Sequence, residues 1–127
     1  MRMIRIQNGR SGAVLGKRVQ MTAGWWSGSG DSLGQAVLPL NGGILLAPCA
    51  SVHTLGMCHP VDVAFLDRKG RIIETKTDLQ PGQFAVGGIG VHATLQLPVG
   101  TLEATDTRRG DFLILEENPE VRGGGLE

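Results

Sequence analysis

Cysteine occurs only twice in these 127 residues, at Cys49 and Cys58, which excludes the disulfide framework of a small secreted domain. A chain of this length buries about two thirds of the surface its unfolded form exposes, so it needs no such framework. Whether the two thiols pair stays open, because spacing alone does not fix how their Cβ atoms face. An excess of either charge is also lacking. Twelve Lys and Arg balance twelve Asp and Glu, so no whole-molecule field draws nucleic acid or an anionic membrane. Long apolar runs are missing too: Ile44-Leu45-Leu46-Ala47 and Val63-Ala64-Phe65-Leu66 fall far short of the roughly 20 residues that cross a bilayer. The opening Met1-Arg2-Met3-Ile4-Arg5-Ile6 alternates and has no export-signal pattern. The expectation is a reduced, cytoplasmic protein with no membrane span and no nucleic-acid partner. Tyrosine is absent and two Trp and three Phe are the only aromatic residues, so the adjacent Trp25 and Trp26 stand out.

Glycine is what the chain has in excess, with 20 residues. Glycine adds unfolded-chain freedom and no side chain to bury, which favours short strands and tight turns over long helices. Met3 to Gln7 alternates and ends at the hairpin signal Asn8-Gly9, with a strand partner over Ala13 to Met21. Thr22 to Gly34 reads as a loop with a short helical turn at Asp31-Ser32. Gly43 to Ala47 is a buried strand stopped by Pro48, and a polar segment, Cys49 to His59, follows. Val61 to Asp67 and Arg71 to Thr77 form a hairpin across Asp67-Arg68-Lys69-Gly70. Further strands are expected over Gln83–Val86, Val91–Leu97 and Asp111–Leu115, with a helical turn over Thr101–Thr105. The fold class is mostly β: a single-domain antiparallel β sandwich or barrel with one or two short helical turns over residues 1–117, followed by a flexible tail, 118–127.

Chemistry-capable groups concentrate between Cys49 and Asp62. Asp62 shares a strand face with Ala64 and Leu66, where a carboxylate needs partners. His53 lies across a turn from it, so the two are candidates for an acid–base pair in which Asp62 orients the imidazole. The alternative is a buried polar network that fixes the turn, with Thr54 or Ser51 as further donors. No nucleophile motif accompanies the pair. Cys49, His53, Cys58 and His59 lack the spacing of ordinary zinc sites, even with His92 added, so no metal and no cofactor is expected. Arg68-Lys69-Gly70-Arg71 and Arg108-Arg109 read as solvated turns that guard strand edges. Val86-Gly87-Gly88-Ile89-Gly90 matches no phosphate loop and reads as a flexible connection.

An ordered set of motifs runs from about Gly43 to Leu113: Val52-His53-Thr54, Gly56-Met57, Pro60-Val61-Asp62-Val63, Phe65-Leu66-Asp67, Leu95-Gln96-Leu97-Pro98 with Gly100, and Gly110-Asp111. In these the chain resembles the DUF192 family, also called UPF0127. The resemblance implies a compact, mostly-β domain, found alone or behind an export signal, with no established activity. The chain departs from the family where a basic, leucine-rich helix is usual and Trp25 to Gln35 stands instead. Cys58-His59 replaces a basic-aromatic pair, and Gln96 a common Glu.

The leading functional expectation is a non-enzymatic accessory module that binds a small molecule or peptide around residues 49–62. Its candidate binding residues are Ser51, His53, Thr54, Met57 and Asp62, with Trp25 or Trp26 nearby. The alternatives are a small hydrolase-like enzyme using His53 and Asp62, and a self-associating β domain, so that a monomer or a weak homodimer is expected.

Overall fold

The computed structural model describes residues 2–22, 42–54 and 57–117. Trp25, Trp26, the helical turn at Asp31-Ser32 and the tail 118–127 therefore lie outside the described residues, as do Leu55 and Gly56. Among the described residues nine strands and one short helix follow in order: β1 (Arg2–Asn8), β2 (Val14–Thr22), β3 (Gly42–Leu46), β4 (Ser51–His53), β5 (Val61–Leu66), β6 (Ile72–Leu79), β7 (Phe84–Val86), β8 (Ala93–Pro98), α1 (Thr101–Ala104) and β9 (Leu113–Glu117). Seven strands form one sheet in the order β6-β5-β8-β3-β2-β1-β9, and β4 and β7 pair separately.

The large sheet curls until its two edge strands meet. Arg71 bridges Phe112, and the Leu113 amide donates to the Gly70 carbonyl at 2.9 Å. The Ile72 amide donates to the Asp111 carbonyl at 2.8 Å, and the Gly110 amide to the Ile72 carbonyl at 2.8 Å. A half-barrel results, filled by Ile4, Ile6, Leu15, Val19, Leu45, Ala64, Leu66, Leu95, Leu97 and Leu102, all buried. Each aliphatic side chain taken out of water contributes about 1.5–3 kcal/mol, which is how a chain with so few rings closes a core.

The fold is mostly β with one short helix, as expected, and its pairings among the described residues are antiparallel but for one. β2 and β3 run parallel, with Arg18 opposite Gly42 and Thr22 opposite Leu46. The chain leaves β2 at one end of the sheet and re-enters β3 at the other, where a hairpin would have reversed it. A correction concerns the polar segment: Ser51–His53 is a strand, because Val86, Ala85 and Phe84 supply its partners.

The β4–β7 ribbon explains why β5 is buried along its whole length. Ala64 and Leu66 face the barrel interior, while Val61, Val63 and Phe65 face a second cluster with Val52, Met57, Leu79 and Ala85. The glycine-rich connection after β7 fits closely over this cluster. A Cβ on Gly87 would lie 2.6 Å from the Phe65 ring, and the Gly87 amide donates to the Ala50 carbonyl at 2.8 Å.

Candidate functional site

The candidate residues of the 49–62 segment fold to different places. Asp62 is buried near the start of β5, where all its bonding goes to backbone amides. Its Oδ2 accepts from Gly100 and Leu102, both at 3.0 Å, and its Oδ1 from Asp78 at 3.0 Å. Gly100 precedes α1 and has no side chain to cap it, so a strand carboxylate satisfies the first-turn N–H groups instead. Asp78 sits in the β5–β6 register shift with a φ of 56°, and the Asp62 bond holds its amide there.

Thr54 and Met57 fix the ribbon. The Thr54 hydroxyl donates to the Gln80 carbonyl at 2.6 Å and accepts from the Gln83 amide at 2.8 Å. Met57 is buried in the second cluster, and its amide donates to the Thr54 carbonyl at 3.1 Å. Ser51 and His53 point outward on β4, and the His53 ring lies 6.1 Å from that of Phe84. His53 and Asp62 therefore share no hydrogen bond. Thr54 bonds the Gln80–Gln83 turn, whereas Asp62 bonds Asp78 and the first turn of α1, so the two belong to separate polar contacts.

Cys49 and Cys58 are free thiols. The Cys49 Sγ donates to the Ser51 carbonyl at 2.8 Å, and Cys58 and His59 are exposed. Among the described residues no group of three or more His, Cys, Asp or Glu is placed to hold a metal ion. No helix among them is long and apolar enough to cross a membrane.

A cavity of about 400 Å³, which no single segment of the sequence announces, opens at the end of the half-barrel away from Asp62. Met21, Leu45, Ala47, Leu66, Ala93 and Leu113 supply apolar lining, while Arg68, Lys69 and His92 bring polar groups to it. Two turns hold its walls. Within Asp67–Gly70 the Asp67 Oδ1 accepts from the Lys69 amide at 2.8 Å and the Arg71 amide at 2.9 Å. Foremost the Arg71 amide, and then those of Lys69 and Gly70, hold the Asp67 carboxyl below its ordinary value against the opposing effect of burial. On the other wall the His92 amide donates to the Leu66 carbonyl at 2.7 Å, and the Cys49 amide to the His92 carbonyl at 2.9 Å. The sequence signal was the Arg68-Lys69 pair, read as a solvated turn; only the curl of the sheet sets it against strand ends remote in sequence.

A buried polar cluster elsewhere is structural. Asp111 accepts from Arg10 Nε at 2.8 Å, Asn8 Nδ2 at 2.9 Å and the Arg108 amide at 3.0 Å. The Arg10 guanidinium above all, with Asn8 and the Arg108 amide, outweighs burial and holds the Asp111 carboxyl far below the usual carboxylate range. Arg10 also bonds the Asp106 carbonyl, so the cluster ties the β1–β2 turn to the segment after α1.

The family model of DUF192, described as an uncharacterized ACR, matches residues 33–115, a longer span than the motifs from Gly43 to Leu113. No curated protein matches the chain. Two solved structures share its fold. A "putative transcription regulator" from Sinorhizobium meliloti 1021 superposes with a TM-score of 0.74 at 17% identity, covering 90% of this chain and 92% of that one. A protein of unknown function from Novosphingobium aromaticivorans DSM 12444 gives 0.72 at 16% identity, covering 88% and 83%.

Proposed function

The chain belongs to the DUF192 family, and we propose that it is a non-enzymatic module that binds a small molecule in the cavity at the mouth of its half-barrel. The observation that carries this reading is the cavity itself, about 400 Å³ with an apolar lining and a few polar groups at its rim. Sites for small ligands have this composition, at roughly 300–1,000 Å³. This site lies outside the 49–62 segment: its lining comes from residues on either side of it, Ala47 before and Leu66 to Gly70 after, with His92 and Ala93. The hydrolase alternative draws no support from His53 and Asp62: the carboxylate is engaged by three amides, and the imidazole lies outside against Phe84. A nucleic-acid role, which the name of the Sinorhizobium protein would suggest, finds no surplus of basic residues to support it.

A fragment screen followed by amide NMR shifts tests the proposal. Hits are expected to move Leu45, Leu66, Gly70, His92 and Ala93 together. Hits that move only residues 51–57 would return the site to the ribbon and overturn the cavity reading.

The self-associating alternative has one observation of its own: Phe84 is 69% exposed and Val86 70% on the outer face of β7. Light scattering over a wide concentration range decides it, since an unchanging monomer removes that reading.

A further inference from the structure

We infer that the mouth cavity takes an anionic amphiphile, a small molecule with a carboxylate head and an apolar body; this rests on the reading of the cavity as a ligand site. The lining divides by chemistry. Met21, Leu45, Leu66 and Leu115 offer a wall that only an apolar body rewards, whereas Arg68 and Lys69 bring two positive charges to it. Neither cation has an ion pair or a side-chain hydrogen bond among the described residues. Several other cations are engaged: Arg5 lies 3.6 Å from Glu116, Arg10 2.8 Å from Asp111, and Arg109 3.4 Å from Glu74. Arg71, in the same turn, sets its guanidinium 4.3 Å over the Phe112 ring. Arg18 and Lys76 also lack an ion pair, but they stand exposed on β2 and β6 and do not line the cavity. Arg68 and Lys69 thus combine a free positive charge with a place at an apolar wall.

The acidic group of the lining does not cancel them. Asp67 turns its Oδ1 to the amides of Lys69 and Arg71, at 2.8 and 2.9 Å, and makes no ion pair with Arg68 or Lys69. The carboxylate keeps its charge, so with Arg68 and Lys69 the turn carries a net charge of about +1, which suits a monoanion better than a dianion. A single carboxylate beside Arg68 and Lys69, with an alkyl or aryl body over the apolar wall, meets both halves of the lining.

The experiment is a titration of the full chain, read by amide NMR shifts, with octanoate, octanol and octylamine as probes sharing one apolar body. Octanoate is expected to shift Leu66, Gly70, His92 and Ala93 and to bind about five- to tenfold more tightly than octanol. Its affinity falls as salt is raised, while that of octanol does not. In the R68Q/K69Q double variant, whose substitutions lie on an exposed turn, octanoate drops to the level of octanol, and octanol is unchanged. Equal binding of octanol and octanoate at the mouth would overturn the charge selection and leave the small-molecule reading standing, as would tighter binding of octylamine. If none of the three shifts the mouth residues, the amphiphile is excluded, and the fragment screen judges the cavity separately.

Discussion

The carboxylate of Asp62 accepts the backbone N–H of Leu102 at 3.0 Å, although 40 residues separate them. That bond, with those from Gly100 and Asp78, joins the start of β5 to the helical turn whose Leu102 plugs the half-barrel. Asp62, a candidate for ligand binding and, in the alternative reading, for acid–base chemistry, organises one end of the core. A concavity of about 590 Å³ lies at that end, edged by Asp62, Asp78, Gly100 and Glu103, whereas Leu66, four positions along the same strand, reaches the more apolar cavity at the opposite end.

Replacing Asp62 is therefore expected to cost stability. In Asp62→Asn one oxygen can still serve Gly100 and Leu102, but the amide nitrogen faces the Asp78 N–H, for a loss of about 1–3 kcal/mol. Asp62→Ala orphans three donors and loses more, while His53→Ala, on an exposed side chain, stays within about 0.5 kcal/mol. A double-mutant cycle in urea checks the pairing: independent sites add within about 0.5 kcal/mol, and a larger coupling would restore the acid–base pair.

The ribbon makes a prediction resolved to single amides. Thr54→Val keeps the shape of the buried side chain and removes the acceptor of the Gln83 N–H and the donor to the Gln80 carbonyl. The expected loss is about 1–3 kcal/mol. Native-state hydrogen exchange should speed at Gln83 more than at Leu95, deep in the large sheet. Equal acceleration at both would mean that the ribbon and the half-barrel open as one unit.

The hairpins were legible because their information is local. Asn8-Gly9 and Asp67 to Gly70 carry turn chemistry between alternating runs, and both became the turns the sequence indicated. The parallel β2–β3 pair was not legible, since the direction of pairing depends on where a long connection returns. β4 was missed for a similar reason: Ser51–His53 is too short and polar to announce a strand without its partner, Phe84–Val86. At the site, the sequence marked Asp62 as a carboxylate in need of partners, but backbone amides leave no side-chain signature. The cavity was hidden because Met21 and Leu45, partners across the parallel β2–β3 pair, meet Leu66 of β5 and Leu115 of β9 only through the curl of the sheet.

Acid is expected to weaken the fold through Asp111. Its folded-state pKa lies below the unfolded value, so through the titration range the unfolded chain binds more protons and stability rises with pH. The contribution is complete above the unfolded pKa of about 3.9 and is lost as pH falls toward the folded value. Asp67 acts in the same direction. Asp111→Asn should cost about 1.5–3 kcal/mol at neutral pH, because hydrogen bonds to a charged group are among the stronger ones. Urea midpoints between pH 7 and 3 check the sign: the gap between the two proteins should hold above about pH 4 and narrow below it. A gap that widened in acid would contradict the assignment.

Gly70 couples the fold to the cavity. Its φ is +90°, and a Cβ there would lie 3.0 Å from the Leu113 carbonyl, across the junction that closes the sheet. Gly12 provides the comparison, with a φ of +78° and open space, free of any neighbour within 4 Å, where a Cβ would go. Gly12→Ala meets only the conformational penalty, about 1 kcal/mol. Gly70→Ala adds the contact with a backbone atom, and the turn must shift to relieve it, for a total of about 2–3 kcal/mol. That shift displaces Arg68 and Lys69, so octanoate binding should weaken in Gly70→Ala and remain unchanged in Gly12→Ala. Thermal unfolding and the octanoate titration, run on both variants, separate the two effects. A Gly70→Ala protein that lost stability but bound octanoate normally would detach the turn from the ligand site and leave it only the role of closing the sheet.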